Sequence, residues 1–320
     1  MEPTSGDRPQ PPHAIKANTA NETATGEKSV RKAKRISRSA LVRRRFMRSR
    51  TAVVGLIGIA LIVLLAIIGP FISPWDFRDV DSSFLQGPSA EHWLGTTQGG
   101  RDVFALSMEG LRKSLVIGAC VALIQTTVAA LIGSTAAYFG KVVDKVLLWI
   151  IDLLLVVPSF LMIAVISQKT SASKGSTVIF IFLLSAFGWM LTARVVRSMT
   201  LSVKNLEYVT AARYMSVPTW VIITRHIIPN VASYLIIDCA LGFVAAVMSE
   251  TVLSYFGFGV QPPNTSLGVL IAEGQSMATT FPWIFLAPAT LLTLTLVFVN
   301  FIGDGLRDAI DPSSKSGGKA

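Results

Sequence analysis

Charge is what this sequence holds least of: Asp, Glu, Lys and Arg make up 15% of its 320 residues, against about 25% in a typical soluble domain. Hydrophobic residues reach 51% and the mean hydropathy is +0.56. A soluble globular class is therefore excluded. Apolar runs long enough to cross a bilayer predict an all-α integral membrane protein. Cysteine is nearly absent. Cys120 and Cys239 both lie inside apolar runs, in no Cys-x-x-Cys or Cys/His cluster, so neither a disulfide framework nor a metal site is expected. Histidine is almost as scarce: His13, His92 and His226, none within an apolar span. His-Glu-x-x-His and Gly-x-Ser-Gly are missing, and FIGDG places Phe301 where an aspartyl-type site needs glycine. An intramembrane hydrolase would lack its machinery.

A phosphate-binding loop is missing as well. Gly140-Lys141 is followed by Val142 and lacks the earlier glycine, and Gly318-Lys319 is followed by Ala320. Without that Gly-rich cradle of backbone amides the chain cannot hold ATP in the P-loop manner. No cofactor is expected on it.

The net charge is +10, yet ten of the basic residues crowd between Arg31 and Arg50, directly before the first apolar run. That placement suits an anionic cytoplasmic membrane surface rather than nucleic acid. Residues 1 to about 30 are polar, rich in Pro, Thr, Ala, Asn and Glu, and predict a disordered tail. The polar region is too long, and the run behind it too apolar, for a cleavable signal peptide.

Six spans follow: Thr51–Ile72, then about 115–139, 146–167, 177–195, 231–253 and 281–302, each able to cross about 30 Å of hydrocarbon. Basic residues before the first span put the N-terminus in the cytoplasm, and the even count puts the C-terminus there too. The predicted organisation is a basic tail over 1–50 and a transmembrane domain over 51–312, with a tail over 313–320. Within the domain, an outer loop covers about 73–114 and a cytoplasmic loop about 196–230. Lys169 and Lys174, in a short outer loop, run mildly against this topology. No internal repeat is evident.

The cytoplasmic stretch EYVTAARYMSVPTWVIITRHIIPN, residues 207–230, predicts two short helices at the membrane surface. Ser216 is a candidate cap, Pro218 suits a first helical turn, and the chain should re-aim at Pro229 into the fifth span. The adjacent Ala211 and Ala212 leave one face thin, so a partner could approach closely. Within the spans, Gln125, Thr126, Thr127, Asp152, Asp238 and Asn300 are polar. Intramembrane carboxylates are costly and point to function or to helix packing. Asp152 reads as an anchor near the inner side; Asp238 is the stronger pathway candidate, with Asn300 a possible hydrogen-bonding partner. In HWLGTTQGGRD the glycines allow tight turns, and Arg101 beside Asp102 could pin the loop by charge-assisted bonds. In GFGVQPP, Gly257 and Gly259 force irregular backbone, which at membrane depth must be buried in protein or line a cavity.

Four stretches together resemble the C-type permease subunits of peptide/nickel ATP-binding-cassette importers. Residues 210–229 resemble the coupling motif E-A-A-x-x-x-G, nine residues, I-x-L-P: Ala211, Ala212 and Pro229 match, while Thr210, Ser216 and His226 replace Glu, Gly and Ile. HWLGTTQGGRD carries His92, Gly95, Thr96, Gly100, Arg101 and Asp102 of the outer-loop signature. LSYFGFGVQPPNTSLG and GDGLRDAIDP resemble two later signatures.

The resemblance covers roughly residues 42–312. It implies a type I importer permease fold in the cell inner membrane and a role as half of the translocation pathway for peptides. It further implies a second, B-type permease chain, one or two cytoplasmic ATPase subunits that hold ATP and Mg, and an extracytoplasmic peptide-binding protein. Glu207, Thr210, Ala211, Ala212, Ser216, His226 and Pro229 would then couple to the ATPase; Gln125, Asp152, Asp238, Gly257, Gly259 and Asn300 would be pathway or gate candidates. Alternatives are a permease for nickel or another small solute and a proton-coupled carrier using the aspartates.

Overall fold

A computed structural model of the chain describes residues 38–170 and 176–310. The expected tail over 1–30, much of the basic cluster, Lys174, Asp311, Pro312 and the C-terminal tail lie outside the described residues. By contacts the chain divides after Leu41.

The described residues are helical, with one isolated β-bridge in a loop. After α1 (Arg38–Phe46) come α2 (Arg50–Ile72), α3 (Val103–Phe139), α4 (Lys141–Val156), α5 (Ser159–Thr170), α6 (Ser176–Gly188) and α7 (Met190–Val203). The short α8 (Glu207–Tyr214) and α9 (Thr219–Val221) lead through a π-helical turn, Ile222–Ile227, into α10 (Ile228–Tyr255). α11 (Leu267–Gly274) and α12 (Pro282–Ile310) complete the order. Four helices are long and apolar enough to cross a membrane, and two bent pairs raise the number to six if each pair is one span.

The bends have local causes. Between α4 and α5 the axis turns by 74° at Pro158, which has no N–H to continue the ladder. Between α6 and α7 it turns by 46° around Trp189. Two expected boundaries shift. α3 begins at Val103 rather than near residue 115, because Asp102 caps it through Ala105 N–H at 2.7 Å. Its charged first turns ride on a helix that runs about 55 Å at 1.5 Å per residue, which shortens the preceding loop to residues 73–102. The expected re-aiming at Pro229 is also absent: the helix runs unbroken over Thr219–Tyr255. The wide turn explains why. Ile228 N–H bonds Ile223 O instead of the i−4 carbonyl, so the register already skips a bond before the proline arrives, and Asn230 Nδ2 donates to His226 O at 2.6 Å.

Small residues bring the helices together. Ala52, Gly55, Gly58, Ile62, Ala66 and Gly69 form the buried face of α2, which packs along α12 and against α3. A Cβ on Gly55 would stand 2.7 Å from Phe298 O, and one on Gly58 would stand 2.5 Å from the Phe298 ring. Close backbone approach of this kind substitutes for the hydrophobic drive that lipid cannot supply. Gly58→Leu should therefore lower the thermal midpoint of the detergent-solubilised protein by several degrees, since overpacking costs about 1–3 kcal/mol. Ile57→Leu, at a 55% exposed position, should leave it almost unchanged, and equal midpoints for the two variants would refute the contact's importance.

Candidate functional site

Three regions hold the candidate residues: the loop between α2 and α3, a cavity among the helices, and the surface carrying α8.

The loop is a fixed structure. His92 is buried at 1% exposure, stacks on Trp75 with ring centroids 4.8 Å apart, and places Nδ1 2.9 Å from Asp102 Oδ2. Asp102 thus holds His92 with one oxygen and caps α3 with the other. Thr96 and Asp102 form the β-bridge, and Val103 N–H reaches Gly95 O. Gly100 has φ +68°, and a Cβ there would lie 2.2 Å from Asp81 O, so only glycine fits. Asp81 closes the turn by donating its N–H to Gly100 O. Hydrogen bonds from the Ser83 hydroxyl and the Ser82 N–H hold its carboxyl below the ordinary carboxylate range. The expected pin, Arg101 with Asp102, is not formed: Arg101 extends toward Glu273, 4.0 Å away, and His92 takes the carboxylate. The other ring nitrogen of His92, Nε2, faces Asp81 Oδ2 at 3.5 Å.

The cavity encloses about 530 Å³ between α3, α5, α6, α7 and α10. Its wall is mostly apolar, with Phe160, Leu184, Phe187 and Leu241 among its residues; Gln125 and Asp238 supply polar groups. Asp238 lies near the midpoint of the continuous helix Thr219–Tyr255 and accepts from three hydroxyls: Thr192 at 2.9 Å, Tyr234 at 3.3 Å and Thr126 at 3.4 Å. Of the other pathway candidates, none lines this cavity. Asp152 pairs with Arg194. Asn300, proposed above as a partner for Asp238, turns back to Leu296 O of its own helix at 3.0 Å, as a lone amide does when no neighbour is in reach. Gly257, with φ +80°, and Gly259, pressed against Ser254, belong to the irregular segment after α10. That segment is anchored by Ser167 Oγ donating to Phe258 O at 2.7 Å.

Glu250, not among the polar residues singled out from sequence, is fully buried. It accepts from Ser266 at 2.6 Å, Ser254 at 2.7 Å and Ser114 at 3.4 Å. Ser266 and Ser114 in turn accept the Val269 and Leu267 N–H groups that open α11. One carboxylate thus ties α3, α10 and α11 together. A lone acidic residue inside MSETVL was the available signal.

On the third surface, α8 packs on the π turn through Val209, Ala212, Ile222, Ile223 and Ile227. The two alanines do not share a face, since successive helical residues point about 100° apart: Ala212 is buried at 8%, while Ala211 is exposed. Glu207 and Tyr208 are exposed, Thr210 half-buried, and His226 lies beside Tyr208 with ring centroids 6.4 Å apart. Tyr214 and Met215 are 85% and 78% exposed. Ser216 ends α8 with φ +57°. Its N–H bonds Arg213 O, and Val217 N–H bonds Ala212 O. This is the left-handed helix stop usually made by glycine; the serine adopts the same turn rather than rerouting it. Ser216→Gly should remove roughly 1 kcal/mol of steric cost, partly offset by the entropy of glycine in the unfolded chain. We expect a gain of about one to three degrees in thermal midpoint; a decrease would contradict this account of the turn.

Comparisons with known proteins identify relatives of this chain. Residues 129–316 match the family described as "Binding-protein-dependent transport system inner membrane component", and residues 37–88 match "N-terminal TM domain of oligopeptide transport permease C". The chain is 49% identical over 281 residues to the oligopeptide transport system permease protein OppC of Mycobacterium tuberculosis (strain ATCC 25618 / H37Rv), covering 88% of this chain and 96% of that one. It is 37% identical to OppC of Escherichia coli (strain K12), covering 85% and 90%. With the dipeptide transport system permease protein DppC of Bacillus subtilis (strain 168) it shares 34% identity, covering 84% of each chain.

Proposed function

The chain belongs to the inner-membrane components of binding-protein-dependent transport systems, of the oligopeptide permease C type, and from that membership we propose that it forms half of the pathway of an ATP-driven peptide importer. It crosses the membrane six times, each bent pair counting as one span, with both termini cytoplasmic and the His92 loop outside. A second permease chain faces the cavity, cytoplasmic ATPases carry ATP and Mg, and an extracytoplasmic protein delivers peptide. The half-pathway role draws support from the helix Thr219–Tyr255: it borders the cavity, yet only 17% of its apolar window is buried within this chain. The missing wall is the place for a partner. Family membership also sets aside the proton-driven carrier, because binding-protein-dependent systems draw on an ATPase.

The observation that carries the coupling mechanism is continuity. α8 sits on the π turn, and the π turn is part of the same helix that holds Asp238 at its middle and Glu250 near its far end. A displacement applied to the exposed side of α8 is transmitted along one stiff element into the cavity wall. The exposed coupling surface comprises Glu207, Tyr208, Ala211, Tyr214 and Met215, with Thr210 and His226 at its edge; Ala212 supports it from behind, while Ser216 and Pro229 are themselves exposed.

Ala211→Arg should leave membrane insertion and thermal stability intact, because the position is exposed. It should nevertheless reduce co-purification of the ATPase with the tagged chain and cut peptide uptake by at least about tenfold, a loss of about 1.4 kcal/mol. Normal ATPase recovery together with normal uptake would sink the coupling assignment. A purified wild-type complex containing no ATPase would sink the importer reading itself.

A further inference from the structure

Resting on the peptide-permease reading, we propose that Asp238 and Gln125 form a transit subsite for a protonated amine, the α-ammonium group of the peptide. Asp238 presents a carboxylate on the cavity wall and has hydroxyl partners only. Thr192, Tyr234 and Thr126 donate to it from α7, α10 and α3, and no Lys, Arg or His among the described residues forms an ion pair with it. The nearest basic residue along α7, Arg194, is engaged by Asp152. A carboxylate offers about four acceptor positions, so three hydroxyls leave one for a donor arriving from the cavity. A charge at membrane depth is costly without a counter-charge, and a passing ammonium supplies one.

Gln125 extends the same polarity. It is buried at 8% exposure yet borders the cavity. Its Nε2 donates to Gly242 O at 3.3 Å, which leaves the amide oxygen as an acceptor. That oxygen is directed at Gly188, where a Cβ would come within 1.8 Å of it; the absent side chain is what lets Gln125 keep this orientation. Two acceptors of this kind recognise a group rich in N–H and disfavour a carboxylate. A transition metal is poorly served, since no group of three His, Cys, Asp or Glu residues assembles among the described residues. The remaining wall is largely apolar and fits side chains of varied shape without reading them. The subsite thus recognises the one group that peptides of any sequence share.

The test uses the complete transporter in proteoliposomes with its ATPases and binding protein, and a matched pair of peptides, one with a free amino terminus and one N-acetylated. Both are first confirmed to load the binding protein and then used at saturation. Asp238→Asn is nearly isosteric: its one amide oxygen can accept from Thr192 and Tyr234, and its amide nitrogen can donate to the Thr126 hydroxyl, so assembly should persist; ATPase co-purification checks this. We expect the variant to reduce uptake of the free-amine peptide about tenfold and to change uptake of the acetylated one less than about twofold. Asp238→Glu should restore part of the difference. Equal losses for both peptides, or no loss for either, would overturn the subsite. Failure of the wild-type complex to import either loaded peptide would overturn the peptide reading on which it rests.

Discussion

An amide inside hydrocarbon must find its partner within the protein, and that constraint organises this structure. Proline is where it bites. At Pro158 the helix gives way and the axis turns by 74°. At Pro229 it does not, because the π turn has already moved the register and Asn230 covers the carbonyl of His226. The same residue type therefore gives a hinge in one place and continuity in another. Pro288, inside α12, also leaves its helix continuous. Continuity at Pro229 joins a surface segment to the helix that borders the cavity.

Carboxylates are held in two ways. Asp144 takes a bidentate pair from Arg197, and Asp152 is paired with Arg194; both lock α4 to α7. Asp238 and Glu250 on α10 have only hydroxyl donors. A guanidinium–carboxylate pair is strong and directional. Interhelical hydrogen bonds in membranes average well under 2 kcal/mol each. α10 is thus tied to α7 and α3 by the weaker bonds, while the ion pairs join α4 to α7.

Much of this was legible in the sequence. Apolar runs located the four long helices and the two bent pairs, because the bilayer imposes length directly, and motif resemblance located the family. Asp238 and Gln125 stood out as polar residues in apolar runs and do line the cavity. Boundaries were less legible where charge rides on a helix: Glu109, Arg112 and Lys113 read as loop, yet they occupy α3 beyond its apolar core. Partners were the least legible. Nothing local says that His92 rather than Arg101 would take Asp102, since the choice depends on Trp75 and Asp81 closing over the imidazole. Nor could sequence show that Ser216 would accept a left-handed conformation, because hydrogen bonds from its own and the following N–H to Arg213 and Ala212 hold it there.

The breaks in the helices border the cavity, and this gives the fold its mechanical sense. Ser159 and Phe160 follow the break at Pro158, and Gly188 and Leu191 flank the one at Trp189; all four line the cavity. The opposite wall is made by α3 and α10, which are unbroken. One wall is stiff and the other is jointed. A stiff wall transmits a displacement over its whole length, whereas a jointed one lets its two halves tilt separately. In the proposed importer a push on the π turn would reach Asp238 along this unbroken helix, and the bent pairs would accommodate it by changing angle. If both walls were continuous the cavity could only translate. If both were jointed the push would be lost at the first bend.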